Sequence, residues 1–127
     1  MASIITHVAI PLSLWLGFRS SLNENPILSR LLIVACIASI LPDLDVISFK
    51  LGIPYSSEYG HRGFTHSITF SIFIGLLALL FSKYLKSSKF IIFSLVSLAT
   101  ASHAVLDAMT NGGLGVAFFW PRLCENP

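Results

Sequence analysis

Charge is what this sequence has least of. Lysine, arginine, aspartate and glutamate make up 11% of its 127 residues, against about 25% in a typical soluble domain. A small soluble bundle needs a charged outer surface, and this chain cannot supply one. The mean hydropathy of +0.80 points the same way, to a membrane protein. The net charge of +2 is small and the basic residues are dispersed, which leaves no footprint for nucleic acid. Cysteine is scarce as well. Cys36 lies inside an apolar run and Cys124 near the C-terminus, without C-x-x-C or Cys/His spacing around either. They read as a buried small apolar residue and an incidental thiol. A basic stretch ahead of the first apolar run is missing too, because the first positive charge, Arg19, follows it. The N-terminus therefore does not read as a cleavable signal peptide. No internal repeat or low-complexity tract is present. The length suits one domain and is too short for two ordinary ones, so residues 1–127 are read as a single membrane-embedded helical domain.

What is there is apolar sequence in four segments, expected as helices over residues 4–18, 26–41, 63–82 and 90–110. The first contains Pro11, expected to kink it; the second opens on Pro26, well placed at a helix start. The third and fourth are long enough to cross a bilayer, at roughly 20 residues. The first two reach that length only by tilting, re-entering, or sinking their polar ends to membrane depth. The fold expected is all-α, an integral membrane bundle of about four helices. Arg19, Arg30, Lys83, Lys86 and Lys89 fall on one side of it, and Lys50, Arg62 and Arg122 on the other. The positive-inside rule then puts the first group in the cytoplasm and both termini, with the Asp43-to-His61 loop, outside.

The polar residues cluster by depth. His7 is near the outer start of the first helix, and Asp43 and Asp45 follow the second. His61 and His66 flank the start of the third; His103 and Asp107 lie near the end of the fourth. Four separate stretches thus bring seven potential metal ligands to one membrane face. Each ionisable group at the centre of a membrane helix costs about 2.5–3.5 kcal/mol on insertion scales, less near the interface. A divalent cation is a partner that imidazoles and carboxylates can share.

Local spacing agrees. In "HAVLD", His103 and Asp107 are four apart and project from one helix face. In "PDLD", Pro42 disfavours a helical Leu41, and an extended turn would let Asp43 and Asp45 both point inward. In "HRGFTHS", Gly60 and Gly63 permit a tight turn and either Thr65 or Ser67 could cap the next helix. His61 would then hang from the loop and His66 from the first helical turn.

Taken together, "PDLD", "HRGFTHS" and "HAVLDAMTNGG", in this order after an early helical histidine, closely resemble the YdjM-like family of inner-membrane proteins assigned as metal-dependent hydrolases. The resemblance runs from His7 to about Pro121. It implies an integral protein of the bacterial or archaeal inner membrane and a site made of His7, Asp43, Asp45, His61, Arg62, His66, His103 and Asp107. Thr110 and Gly112 match the end of the third motif. The order His, Asp, His, then H-x-x-x-D is also distantly similar to the all-helical zinc-dependent phospholipase C and P1-nuclease group. There the last aspartate bridges two zinc ions, and Asp107 is the matching position. Those enzymes have further His and Glu ligands downstream, and this chain stops at Pro127 without them.

The function expected is hydrolysis of a phosphoester or lipid ester by a metal-activated water. One or two Zn²⁺-like ions would be held by a subset of His7, Asp43, Asp45, His61, His66, His103 and Asp107. Asp43 or Asp45 would orient or deprotonate the water. Arg62 is read either as a partner for substrate phosphate or as a salt bridge to Asp43 or Asp45. Asp45 is open to a second role, fixing a histidine tautomer from behind. Phe118, Phe119 and Trp120 either line a lipid-facing cleft or anchor the chain at the interface. Transport of metal ions or protons is the competing class, with Ser71, Ser94 and Ser97 as the polar steps available in the third and fourth helices. A metal-stapled scaffold without catalysis is the third. Membrane lipids are the expected partners.

Overall fold

The computed structural model describes residues 4–18, 30–54, 60, 63–110 and 116–120. Every regular element among them is helical. Helix α1 spans Ile4–Phe18, α2 Arg30–Ile40, α3 Ile47–Lys50, α4 Ile68–Leu79, α5 Ser82–Leu85 and α6 Lys89–Ala108. A 3-10 helix, Leu41–Val46, continues α2, and a shorter one, Phe64–His66, precedes α4.

Helix α6 is the axis of the molecule. It packs against α4, α2 and α1, and α1 also packs against α2. At 20 residues it is long and apolar enough to cross a membrane. Its start is set by Ser88, whose extended backbone and side-chain oxygen, accepting from Ile91 N at 3.3 Å, satisfy a helix-end donor. Its end is closed by Thr110, whose hydroxyl donates to the Asp107 carbonyl at 2.8 Å.

Several element boundaries differ from those expected. The run 63–82 is not one helix. Ser67 is extended (φ −87°, ψ 156°), and its side chain caps α4 by accepting from Phe70 N at 3.0 Å. At the other end the amides of Leu80 and Phe81 reach back to Leu77 and Ala78, a tightening turn before α5. An unbroken apolar run carries no stop signal, so this end was invisible in the sequence. In the second segment, α2 begins at Arg30, and residues 26–29 lie outside the described residues. Leu41 opens a 3-10 helix with Pro42 in its first turn, not an extended turn, because proline is compatible with a helix start. Pro11 is buried, and α1 runs through it as one helix.

The distribution of polarity is inverted. Exposed positions include Leu12 and Leu16 of α1, Ile33 and Ile37 of α2, Phe73 and Leu76 of α4, and Leu98 and Val105 of α6. Buried positions include His7, Ser39, His66, Ser67, Ser71, Thr100, His103 and Asp107. Helices that are apolar all round suit burial or a bilayer, and buried ionisable groups there must find partners inside. Helices α4 and α6 approach closely at Gly75. A Cβ there would collide with Ser97 Oγ and sit 3.2 Å from the Phe93 carbonyl oxygen. Small residues at such crossings let backbones approach.

Candidate metal centre

His103 and Asp107 stand one turn apart on α6, so both project toward the same neighbours. Those neighbours are delivered by the two 3-10 helices. Leu41–Val46 carries Asp43 past the end of α2, and Phe64–His66 carries His66 in ahead of α4. Donor atoms of Asp43, His66, His103 and Asp107 all lie within 4.8 Å of one another, and the group could hold a metal ion. His103 Nε2 is 3.2 Å from Asp43 Oδ1 and 3.9 Å from Asp107 Oδ2; His66 Nε2 is 3.5 Å from Asp107 Oδ2. His7 joins from α1. Its ring stacks on His103 with centroids 3.9 Å apart, and its Nε2 is 3.8 Å from Asp107 Oδ1.

Two of the imidazoles are oriented from behind. His103 Nδ1 is 2.7 Å from the Ser39 carbonyl. A carbonyl only accepts, so Nδ1 carries a proton and Nε2 is turned toward the cluster. His66 Nδ1 is 3.3 Å from Asp45 Oδ2, and the Thr65 hydroxyl donates to the same oxygen at 2.6 Å. Asp45 thus stands behind His66, outside the four-residue group. This carboxylate–histidine pairing and its carbonyl counterpart are the usual supports of metal-ligating histidines. The ring nitrogens of His7 and Nε2 of His103 are buried and make no hydrogen bond, which is the condition a shared cation would relieve. The donor set fits a divalent ion.

The site is not sealed. Asp43 retains 22% side-chain exposure, while His66, His103 and Asp107 retain 0–1%. Access is therefore past Asp43. The His103 imidazole beside it holds the Asp43 carboxyl below the usual carboxylate range, against the opposing effect of partial burial.

Of the residues expected at the site, His7, Asp43, His66, His103 and Asp107 meet in one cluster, and Asp45 touches it through His66. His61 and Arg62 lie outside the described residues. Of the two candidate caps, Ser67 holds α4, while Thr65 is given to Asp45. The Ser39 carbonyl was missed. A backbone group leaves no mark in a sequence, and only the fold brings it to His103. The segment of Phe118 and Trp120 is held against the start of α4. Phe118 O accepts from Ile68 N at 3.0 Å, and the Trp120 ring meets Phe64 edge-on at 4.8 Å. Only Phe119 of the three aromatics is largely exposed.

The profile of the YdjM inner membrane protein family matches residues 1–126 of the chain. The chain is similar to the inner membrane protein YbcI of Escherichia coli (strain K12), 38% identical over 122 residues that cover 95% of this chain and 68% of YbcI. No solved structure shows a significant match.

Proposed function

The chain belongs to the YdjM family of inner membrane proteins, and from that premise we propose that it is a membrane metallohydrolase acting on a phosphoester or lipid ester. In this reading α1, α2, α4 and α6 form a four-helix membrane bundle. The His/Asp cluster lies at its outer face, and the basic residues Arg30, Lys83, Lys86 and Lys89 lie at its cytoplasmic face.

The observation that carries the reading is the asymmetry of the cluster. Three donors are buried on all sides and one, Asp43, is open to an incoming molecule. Closed sites are structural, whereas hydrolytic sites keep an open position. His66, His103 and Asp107, with His7 behind them, would hold the ion, and zinc suits two or three imidazoles with carboxylate. A bound divalent ion of this kind supplies a nucleophile at neutral pH by lowering the pKa of water to about 7.

The chain's own residues would do the rest. Asp43, at the opening, accepts a proton from the attacking water or orients it. Asp45, fixed by Thr65, would keep His66 with Nε2 turned into the cluster and so is a positioning residue. The Ser39 carbonyl does the same for His103. Arg62, near His66 in sequence, pairs with the substrate phosphate. Transport is less well supported, because the far half of α6 buries Ile91, Ile92, Leu95, Val96 and Ala99 with no ionisable side chain among them.

The test is to assay purified protein, zinc-loaded, on a generic phosphodiester and on phospholipid, beside Asp43→Asn. Hydrolysis that falls at least about 100-fold in the variant, with metal content kept, is the expected outcome. Metal bound but no turnover of either substrate would move the reading to a metal-stapled scaffold.

A further inference from the structure

A second feature runs along the side of the bundle, from Leu41 to Tyr84. Helices α2 and α4 both lean on α6 but pack little on each other, and the gap between them is a groove of about 300 Å³, at the lower end of the range for small-molecule sites. One wall is formed by Val34, Ile37 and Ala38 of α2, continued by Leu41 at the start of the 3-10 helix. The other wall continues from Leu77 and Ala78 of α4 to Tyr84 of α5, and Val96 of α6 is at the floor. The lining is apolar throughout. Its rim residues Ile37, Leu77, Phe81 and Tyr84 are exposed, so the groove opens sideways, where a bilayer would lie.

The mouth is different. Arg30 is one turn before Val34, on the same face of α2. Its guanidinium lies over the Tyr84 ring, 4.4 Å from the centroid, and donates to the Tyr84 carbonyl at 3.1 Å. That bond uses one of five N–H donors, and the planar fork suits a phosphate. Lys83 and Lys86 flank Tyr84 in the same turn, and Lys86 is held in the left-handed conformation (φ 49°) that ends α5. A cationic, aromatic mouth thus opens onto an apolar trough.

We propose that this groove is a binding site for one anionic glycerophospholipid, with its phosphate on Arg30 and one acyl chain between α2 and α4. Charge complementarity selects the headgroup, because a basic residue near a membrane surface favours an anionic lipid by about fivefold each. The apolar walls select the tail. A soluble anion has no use for the trough, and a neutral lipid gains less from the mouth. The site is separate from the His/Asp cluster, and its occupant is a resident lipid, whatever that cluster does.

The test uses the full chain extracted in mild detergent from membranes containing phosphatidylglycerol and phosphatidylethanolamine, with retained lipid identified by native mass spectrometry. Wild type is expected to keep about one phospholipid per chain, enriched in phosphatidylglycerol. Arg30→Gln, at an exposed position, should lower the ratio of anionic to neutral lipid about fivefold. Ala78→Phe, which fills the trough from α4, should abolish retention of both lipids. Val34→Phe does so from the opposite wall, should the first variant fold poorly, and unchanged helicity and metal content serve as controls. An unchanged anionic ratio in Arg30→Gln would overturn the assignment, as would full retention in both filled variants.

Discussion

The two halves of α6 make different use of the same helix. From Lys89 to Ala99 its inward face is Ile91, Ile92, Leu95, Val96 and Ala99; from Thr100 to Asp107 it is Thr100, His103, Ala104 and Asp107. Both halves carry exposed apolar side chains, Phe90 and Leu98 on one, Val105 on the other. The outer surface is therefore uniform and says nothing about role. The inner surface divides the molecule into a packed half that holds the helices together and a polar half that gathers donor atoms. In water these tasks would be hard to tell apart, because polar residues would also be needed outside. In lipid a polar residue has few reasons to be present, so the division is clean.

The largest expected effect comes from breaking the polar half. Asp107→Ala removes the carboxylate that lies within 4 Å of His7, His66 and His103. Metal affinity should fall more than about 100-fold, beyond what loss of an outer partner causes, with helicity by circular dichroism unchanged. Asp45→Ala comes next. It removes the carboxylate behind His66, and titration with zinc should show a loss of about 10–100-fold. Equal losses in the two variants would mean that Asp45 is itself a ligand.

Gly75→Val attacks the packed half. The added side chain meets Ser97 and the Phe93 carbonyl, so thermal unfolding in detergent should show a loss of about 1–3 kcal/mol, while metal affinity stays within twofold or so of wild type. The two serine caps give the finest comparison. Ser67→Ala should cost about 1 kcal/mol and weaken metal binding slightly, since Ser67 follows His66 directly. Ser88→Ala removes a longer hydrogen bond, 3.3 Å against 3.0 Å. It should cost less than 1 kcal/mol or so and leave metal binding alone. If Ser88→Ala disturbed the metal as much as Ser67→Ala, the two halves would not be independent.

The sequence made the polar half legible because its background is so apolar. His7, His66, His103 and the aspartates stand out where each would be costly alone, and the spacing of His103 and Asp107 needs nothing beyond the helical repeat. Finer matters were hidden. Asp43 and Asp45 both reach imidazoles, but the 3-10 path of Leu41–Val46 sends Asp43 to His103 and Asp45 to His66. An extended turn would have pointed both the same way. The ends of α4 were hidden as well. Ser67 was one of two candidate caps, and nothing in "GLLALLFS" marks the turn at Leu80. The groove between α2 and α4 was not legible at all. It depends on a gap between helices, and nothing in an apolar run marks its lining residues.

A cation shared by residues from separate parts of the chain would be what joins the helices of the polar half. Zinc-edge X-ray absorption on the purified, zinc-loaded protein tests this most directly. The predicted spectrum has first-shell nitrogen and oxygen at about 2.0–2.2 Å with the outer scattering of at least two imidazoles, and that scattering weakens in His103→Ala. A spectrum of hydrated zinc without imidazole scattering, or protein that retains no zinc, would contradict the account.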